Sequence, residues 1–468
     1  MSLAPATPGP PASGGAPTLC ILGAGGDLTT RLLLPGLAGL LAHGGGAGLT
    51  LVGCGTDDWT DAQWREHVTA AFAGTADRAA QVIGASRYHR ADVTDAGDLT
   101  RLLGDCDGTP VLYFALPPAV TVRACQALTG IDVPEGTRLV LEKPFGTDAA
   151  SAADLNALLT RIVPERQIFR VDHFLGMSTV LNILGLRFAN RIVEPLLSNV
   201  HVRQVEVVFD EDLGLSGRAG YYDRAGALVD MVQSHLLQVL ALLTMEPPAA
   251  LDADDLRDQK ALVLRATGVW QDDPVRFSRR ARYTAGTVGS RRLPDYLSEP
   301  GIPADSTTET LAEVALTVDT WRWAGVPFLL RSGKALGRPR KEVVVTFAPP
   351  PKVPAGFTGH DRPDRLRIGL NPDRLQLDLN LNGPGDPSRL DPVTLRADFG
   401  AGDLLPYGEV LDGVLTGDPT LSVRGDTAVQ CWRIVQPVLD AWRAGRVPLH
   451  TYAAGSDGPD ASLFRPAR

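Results

Sequence analysis

The segment from Leu19 to Ala42 constrains the fold of this chain more than any other. A short apolar run, Leu19 to Leu22, leads into the glycine-rich turn Gly23-Ala24-Gly25-Gly26-Asp27, and Leu28 to Ala42 has the apolar periodicity of a helix. A strand, a tight glycine turn and a helix, in that order, are typical of the first unit of a parallel sheet with helices on both faces. The segment therefore predicts an α/β domain at the start of the chain.

The alternation of strand and helix continues to about residue 142. Further strands are expected at Leu49–Val52, Tyr88–Asp92, Val111–Ala115 and Leu139–Glu142, with a second crossover helix at Asp61–Ala73. Because repeated strand–helix units build a parallel sheet, we expect a Rossmann-like dinucleotide-binding domain over residues 19–175.

The second half of the chain has a different pattern. Residues 374–382 alternate apolar and polar side chains without interruption, which predicts a strand with one buried and one exposed face. We therefore expect an α+β domain over residues 176–468 that contains a large, mostly antiparallel sheet. Its other expected strands are Val205–Phe209, Glu342–Phe347 and Leu366–Leu370.

Helices are also expected in this second domain. Leu228–Met245 is apolar nearly all round and predicts a buried helix. Segments 252–267, 309–319 and 427–442 predict more peripheral helices.

Composition excludes several classes of function. The formal net charge is -9, so there is no basic surplus for nucleic acid or an anionic membrane. Five cysteines without a CxxC pair favour reduced thiols, no bound metal and a cytoplasmic setting. Residues 1–18, rich in Pro, Gly, Ala and Ser, predict a disordered tail, and no apolar stretch approaches the roughly 20 residues that cross a bilayer.

The glycine turn is the first candidate binding site. Gly23, Gly25 and Gly26 allow close approach of backbone to a pyrophosphate, and the helix that begins near Asp27 and Leu28 offers unpaired N–H groups. Glycine turns without a ligand also occur, so this motif alone leaves the alternative open.

The end of the second strand normally selects between NAD and NADP. Here Asp57 and Asp58 offer two acids and no cation, and an acid accepts a hydrogen bond from a free ribose hydroxyl. The alternative is that one of these aspartates caps the helix that begins near Thr60.

Two further residues are candidates for chemistry. Lys143 follows an apparent strand at the ligand-binding edge of the sheet, although a surface lysine is the alternative. His235 lies on the helix expected to be buried, where it needs a partner for its N–H. Asp230 is about 140° away around an α-helix, so Asp172 is the better partner; a core histidine without catalytic function is the alternative.

Eight motifs in order resemble the glucose-6-phosphate dehydrogenase family. The resemblance runs from about residue 19 to residue 445. The motifs are Gly23–Leu28, Leu112–Pro118 (LYFALPP), Glu142–Gly146 (EKPFG), Arg170–Gly176 (RVDHFLG), Leu186–Arg191 (LRFANR), Arg218–Asp223 (RAGYYD), Asp230–Pro247 and Trp323–Leu336 (WAGVPFLLRSGKAL).

The resemblance implies a role for each matching residue. His235 would take the C1 hydroxyl proton, Asp172 would orient it, and His173 would bind the substrate phosphate. Hydride would pass to NADP or NAD, and the product would be the lactone. The second domain would form a homodimer or homotetramer. Further contacts to the sugar or its phosphate are implied for Lys143, Glu211, Asp230 and Lys334, and Lys143 would also bind the cofactor.

The chain departs from the family pattern at three positions. Phe174 replaces a tyrosine and Met177 a lysine, both of which contact the phosphate in the family, and Thr56 replaces the arginine usual for the 2′-phosphate. We therefore expect weak phosphate recognition unless Arg338, Arg340 or Lys341 compensates.

Three functions follow from these patterns. The first is a glucose-6-phosphate dehydrogenase that catalyses the first step of the pentose phosphate pathway. The alternatives are an NAD-preferring dehydrogenase of a related sugar and a non-catalytic nucleotide-binding paralogue. Retention of Lys143, Asp172 and His235 disfavours the last, because a scaffold needs no positioned base.

Overall fold

The computed structural model describes residues 15–459 and Leu463, with gaps at Ala73, 216–218, 360–361 and Ala401. Within these residues the chain forms two compact units. The first combines the part up to Gly176 with Ala249–Arg257 and Gly402–Val429; the second comprises Met177–Pro248, Asp258–Ala401 and the part from Gln430 onward. Most of the expected tail lies outside the described residues, and its last two residues already belong to the first strand.

The helices and strands of the described residues have the following bounds. The strands are β1 Pro17–Leu22, β2 Thr50–Gly55, β3 Arg87–Arg90, β4 Thr109–Phe114, β5 Arg138–Leu141, β6 Ile168–Arg170, β7 Val202–Asp210, β8 Thr267–Val269, β9 Ser278–Thr284, β10 Gly286–Val288, β11 Arg291–Leu293, β12 Leu311–Val318, β13 Phe328–Gly333, β14 Lys341–Phe347, β15 Arg365–Leu370, β16 Asp373–Asn382, β17 Leu390–Asp398 and β18 Leu449–Ala453. The helices are α1 Leu34–Ala42, α2 Asp61–Ala71, α3 Ala76–Ala85, α4 Ala96–Gly104, α5 Pro118–Leu128, α6 Ala149–Thr160, α7 Ser178–Phe188, α8 Ala219–Ala227, α9 Leu237–Thr244, α10 Ala253–Arg265, α11 Pro406–Thr416 and α12 Gly425–Arg443. Two π-helical segments, Thr29–Leu33 and Leu228–Leu236, continue directly into α1 and α9.

The first unit contains a parallel sheet with strand order β3-β2-β1-β4-β5-β6. Side chains alternate between its faces: Leu19 and Ile21 pack into one buried cluster, and Cys20 and Leu22 into the other. Because both faces are buried, the strands are apolar throughout rather than alternating. The predicted Rossmann-like architecture is confirmed.

One face of this sheet is completed from the far end of the sequence. Helix α11 contributes Val410, Leu411 and Val414 to the cluster that contains Leu19 and Leu37. A local pattern cannot show that a helix more than 350 residues away in the chain joins this core.

The second unit contains a mixed, mostly antiparallel sheet. Its order is β17-β16-β15-β14-β7-β13-β12-β9-β18, with β8 paired to β12. The β7–β13 and β9–β18 pairs are parallel and the others antiparallel. The predicted large sheet is confirmed.

Segment 309–319 forms a strand, so the helix prediction there was wrong. It contains β12, which lies between β13 and β9 and is buried at nearly every residue, from Leu311 to Val318. A strand buried on both faces gives a continuous apolar run, which periodicity alone does not distinguish from a buried helix. The expected helix at 427–442 is present as α12, but it is not peripheral, because Cys431, Trp432 and Val438 are buried.

Strand β16 was predicted correctly, but its expected buried face was not. All residues from Asp373 to Asn380 are half-buried, and the last two are exposed. In the neighbouring β17, Leu395 is 53% exposed. This end of the sheet therefore carries apolar side chains that the described chain does not cover.

The apolar stretch Tyr222–Thr244 is long and apolar enough to cross a membrane, contrary to the expectation that no stretch would be. In the structure 83% of its apolar window is buried inside the protein. It is therefore a core helix of the second unit, as predicted for Leu228–Met245.

Candidate active site

The glycine turn after β1 is held against the ends of β2 and β4. Gly23 has φ +94°, and a Cβ at this position would lie 2.4 Å from the Ala115 carbonyl oxygen, so only glycine fits. The N–H groups of Gly23 and Ala24 donate to the Cys54 carbonyl at 2.8 and 3.0 Å. The helix begins at Asp27, directly after the turn, so its N-terminus lies beside the exposed Gly25. This geometry suits a pyrophosphate.

Asp57 lies directly beside this turn. A Cβ added to Gly25 would lie 2.6 Å from the Asp57 Oδ2, so the carboxylate faces the turn. The helix-capping alternative for the aspartates is wrong, because Thr60 caps α2 by accepting from the N–H of Gln63 at 3.3 Å. Thr56 is exposed.

A cation that the sequence reading missed lies beside the second aspartate. Arg90, at the end of β3, donates to Asp58 at 2.8 Å, although both side chains are mostly exposed. Neighbouring parallel strands end at the same edge of a sheet, so the position of Arg90 at the end of β3 could have been used to predict that it lies near the end of β2.

Tyr88 and Trp59 add aromatic surface at this edge. Their rings are 5.5 Å apart, and the Trp59 ring would lie 3.4 Å from a Cβ at Gly25. Burial, with the neighbouring Asp57 carboxylate, raises the pKa of Tyr88 to about 12. The phenol therefore stays protonated and can donate a hydrogen bond.

Lys143 is half-buried just after β5 and follows Glu142. The sequence patterns did not indicate a role for the Glu142 carboxyl. Glu142 accepts a hydrogen bond from the Tyr113 hydroxyl at 2.5 Å. Burial raises the pKa of Glu142 to about 7, although the Tyr113 bond and the Lys143 ammonium lower it. This carboxyl can therefore hold or release a proton near neutral pH.

Asp172 and His173 lie just after β6, beyond Val171. The Asp172 side chain is 2% exposed, and its Oδ1 accepts from the N–H of Phe174 at 2.9 Å. The His173 ring stacks on Tyr407 with centroids 5.9 Å apart. Phe174, which replaces the family's tyrosine, is 4% exposed and therefore packs as a core side chain. Met177 is half-buried and precedes α7.

His235 is almost completely buried, at 1% exposure, within the π-helical segment Leu228–Leu236. The expectation that Asp230 lies on a different side assumed α-helical geometry. Hydrogen bonds in a π-helix join residues five apart, so Asp230 and His235 come onto nearly the same side. Asp230 is thus a second carboxylate suited to the imidazole.

Glu211 and Lys334 form an ion pair in the second unit. The Lys334 Nζ lies 2.6 Å from the Glu211 Oε2, and both side chains are less than one-fifth exposed. The ammonium also lies 5.1 Å from the centre of the Tyr222 ring. Burial and the nearby Asp230 carboxylate raise the pKa of Tyr222. These four residues therefore form one polar cluster, of which the sequence reading had assigned all but Tyr222.

Glu309 fixes the start of the segment that carries His235. Its carboxylate accepts from the N–H of Leu228 at 3.0 Å. Gly226 has φ +67°, and a Cβ there would lie 2.3 Å from the Glu309 Oε1. Burial raises the pKa of Glu309 to about 7. No sequence pattern in this chain pointed to this contact.

The three cations considered as substitutes for the phosphate-binding lysine have other contacts. Arg338 pairs with Asp457, Arg340 with Glu342, and the Lys341 ammonium lies 4.8 Å from the centre of a phenylalanine ring. Each of the three is therefore engaged with another side chain in this structure.

Comparison with known proteins identifies the family. A sequence profile for the glucose-6-phosphate dehydrogenase NAD binding domain matches residues 20–182, and one for the C-terminal domain matches residues 184–464. The chain is 37% identical to glucose-6-phosphate 1-dehydrogenase of Mycolicibacterium smegmatis, over 94% of this chain and 93% of that protein. It is 34% identical to the Bacillus subtilis enzyme over 95% of both.

Solved structures agree. The glucose-6-phosphate 1-dehydrogenase of Mycobacterium avium superposes with a TM-score of 0.84 at 35% identity and covers 96% of each chain. A glucose-6-phosphate dehydrogenase in complex with glucose 6-phosphate gives a TM-score of 0.85 at 28% identity, over 96% of this chain and 97% of that one. The chain belongs to the glucose-6-phosphate dehydrogenase family.

Proposed function

We propose that the protein oxidises glucose 6-phosphate at C1 to 6-phosphogluconolactone and transfers the hydride to NAD or NADP, the first step of the pentose phosphate pathway. The observation that carries the proposal is a 1% exposed imidazole, His235, on a segment that presents Asp230 to nearly the same side. The full-length family match supports the same assignment.

His235 acts as the general base in this proposal. The C1 hydroxyl gives up its proton to the imidazole while the hydride leaves C1, since an alcohol does not release hydride readily without losing its proton. Asp172 orients the imidazole and stabilises its charged form, as the family resemblance implies. Asp230, Glu211 and Lys334 bind sugar hydroxyls or the phosphate.

The phosphate end of the substrate retains His173 and Lys143 as donors. Phe174 is buried and Met177 has no polar hydrogen, so two charge-assisted or neutral hydrogen bonds of the family pattern are missing. A hydrogen bond to a charged group contributes about 1.5–3 kcal/mol, and we therefore expect a high KM for glucose 6-phosphate.

The glycine turn and Asp57 fit a nicotinamide dinucleotide. Gly23, Gly25, Gly26 and the helix start at Asp27 and Leu28 hold the pyrophosphate, and the dinucleotide supplies the hydride acceptor. Lys143 also binds the cofactor, as the resemblance implies.

We propose that discrimination in favour of NADP is weak. Asp57 faces the turn and accepts from a free ribose hydroxyl, while an added 2′-phosphate meets this carboxylate and the exposed Thr56. Arg90 is a candidate cation at this edge of the sheet, and it forms an ion pair with Asp58. Asp58→Asn releases Arg90 and should raise kcat/KM for NADP relative to NAD, whereas Asp98→Asn, on α4, serves as a control.

The protein is proposed to be a cytoplasmic homodimer, with a homotetramer as the alternative. The apolar side chains of β16 and β17 support this, because Leu381 and Leu395 are 46% and 53% exposed on one face of the sheet. A second copy of the same surface would cover them.

Nicotinamide absorbance tests the proposed activity. The purified protein is given glucose 6-phosphate and then glucose, each with NAD and with NADP, and the lactone is trapped as its hydroxamate. Reduction with glucose 6-phosphate supports the proposal. Faster reduction with glucose than with glucose 6-phosphate, at equal concentration, would identify the protein as a dehydrogenase of a related sugar. The absence of the two phosphate donors at Phe174 and Met177 favours this alternative. Cofactor binding without reduction of either cofactor would identify a non-catalytic paralogue.

A further inference from the structure

Two thiols that have no part in the proposed hydride transfer lie close together in the first unit. The sulfur atoms of Cys20 and Cys106 are 3.6 Å apart, although 86 residues separate them in the sequence. Both are free. A disulfide needs a sulfur–sulfur distance of about 2.0 Å, so a movement of less than 2 Å joins them.

The two thiols have different environments. Cys20 lies in the centre of β1 and is fully buried, whereas Cys106 is partly exposed in the connection between α4 and β4. The bond with Cys20 lowers the pKa of Cys106, and the Arg87 guanidinium lowers it further, against burial and the charges of Asp105 and Asp107. The pKa of Cys20 is raised by the same bond and by burial.

This difference assigns the two sulfurs distinct roles. The thiolate is the form that reacts with oxidants, and the partly exposed Cys106 is the sulfur that an oxidant can reach, whereas the buried Cys20 lies beside it as the second thiol of the pair. The contact of the Cys106 sulfur with the Leu102 carbonyl at 3.3 Å holds it near this position.

We propose that Cys106 and Cys20 are a peroxide-oxidisable pair that closes to a disulfide. The Cys106 thiolate attacks one oxygen of hydrogen peroxide, the O–O bond breaks, and hydroxide leaves, which gives Cys106 sulfenic acid. The Cys20 sulfur then attacks the Cys106 sulfur; the S–S bond forms, the S–O bond breaks, and the hydroxyl leaves with the Cys20 proton as water. Two electrons pass from the thiols to the peroxide.

The cross-link would join β1 to the connection between α4 and β4 at a point close to the cofactor turn. Cys20 is three residues before Gly23, and β1 pairs with β4 along its whole length. The inference concerns oxidation chemistry and does not depend on the proposed substrate.

Mass spectrometry of the full-length protein tests the pair. After treatment with hydrogen peroxide and removal of the excess, we expect the intact mass to fall by two hydrogen atoms and to return on addition of dithiothreitol. Peptide mapping without reduction should show one linked pair of peptides, containing Cys20 and Cys106.

Three variants separate this pair from general thiol oxidation. Cys106→Ser should abolish the linked peptides, and Cys20→Ala should leave a sulfenic acid at Cys106 that dimedone captures. Cys125→Ser, which removes a buried thiol of α5, should form the link as the parent does. Absence of the linked peptides in the parent protein, or their persistence in Cys106→Ser, would overturn the proposal; so would dimedone capture at Cys125 or Cys54 in preference to Cys106. Cys106 is partly exposed, so Cys106→Ser should disturb the core less than Cys20→Ala does. The test therefore remains valid if Cys20→Ala does not fold.

Discussion

Glu309 is an ionisable group whose proton equilibrium is coupled to folding. Its pKa is raised from 4.5 to about 7 by burial, while the N–H of Leu228 stabilises the carboxylate. The folded state therefore binds the proton more tightly than the unfolded chain. Since an unfolded glutamate ionises first as the pH rises, the stability contributed by this group falls between about pH 4.5 and pH 7.

Glu309→Gln should flatten this dependence. The amide oxygen can still accept from the N–H of Leu228, but the side chain no longer titrates. From pH 5 to pH 8 the free energy of unfolding of the variant should rise relative to the parent by an amount on the order of 3 kcal/mol. Urea unfolding at both pH values measures it. Glu299→Gln, at a carboxyl that accepts a hydrogen bond from the Tyr283 hydroxyl, is the control. If the free energy of unfolding changed equally with pH in the parent and in Glu309→Gln, the proposed coupling would be rejected.

Met177→Lys should improve binding of glucose 6-phosphate. Met177 is half-buried at the start of α7, and an ammonium at this position restores a cation that the family pattern places on the phosphate. The KM for glucose 6-phosphate should fall by roughly tenfold or more, since a charge-assisted contact contributes about 1.5–3 kcal/mol. Steady-state kinetics with Met177→Leu as the matched control decides this.

Two outcomes contradict that view of the phosphate site. A low micromolar KM in the unmodified protein would mean that other donors already bind the phosphate. A folded Met177→Lys protein with an unchanged KM would mean that the substrate carries no phosphate at this position.

At the scale of elements, the kink before the π-helical segment positions His235. Gly226 turns the chain between α8 and this segment with φ +67°, and the Glu309 carboxylate occupies the space where a side chain would be. The segment therefore starts from a backbone conformation that other residues adopt only with strain.

Gly226→Ala should impair both stability and turnover. At φ +67° and ψ 175° an alanine would lie in a region that is essentially restricted to glycine, which costs about 1–3 kcal/mol, and the clash with Glu309 adds to this, so the urea midpoint should fall. Because the displaced segment carries His235, kcat should fall more than the KM for the cofactor changes. Gly220→Ala in α8, where a Cβ meets nothing within 4 Å, should leave both unchanged. If the Gly226→Ala protein kept the kcat of the parent, the kink at Gly226 would not be needed to position His235.

The sequence predicted the elements whose pattern is local. The glycine turn, five of the six strands of the first sheet and the buried helix around His235 follow from short-range periodicity and are confirmed, whereas the three-residue β6 was not predicted. The failures have physical causes: β12 is buried on both faces and so resembles a helix, and the angle between Asp230 and His235 was taken from an α-helix, whereas the segment is π-helical.

Part of the candidate site could also be predicted from the sequence. His235, Asp172 and Lys143 were found through motifs, and their roles stay predictions. Arg90 and Glu309 were missed, because each acts through a contact between elements distant in sequence.

At the scale of the whole molecule, the uncovered end of the second sheet makes self-association testable. Leu395→Asp places a charge in the exposed apolar row of β16 and β17. We expect the parent protein to have about twice the mass of the 49.8 kDa chain in light scattering, and the variant to be monomeric at the same concentration. Leu262→Asp, at a leucine that is 49% exposed on α10, should remain dimeric. An unchanged mass for Leu395→Asp would place the interface elsewhere, and a fourfold mass for the parent would favour the homotetramer.

The most direct test of the account is the turnover of His235→Asn with glucose 6-phosphate. Asparagine keeps a polar side chain of similar size but cannot accept the C1 proton at neutral pH, and general base catalysis contributes about 10²–10⁴-fold. We predict a loss of roughly a thousandfold in kcat with the affinity for the cofactor retained, while His450→Asn, at an exposed histidine of β18, keeps the parent rate. A folded His235→Asn protein that reduces the cofactor at a near-normal rate would contradict the assignment of His235 as the base.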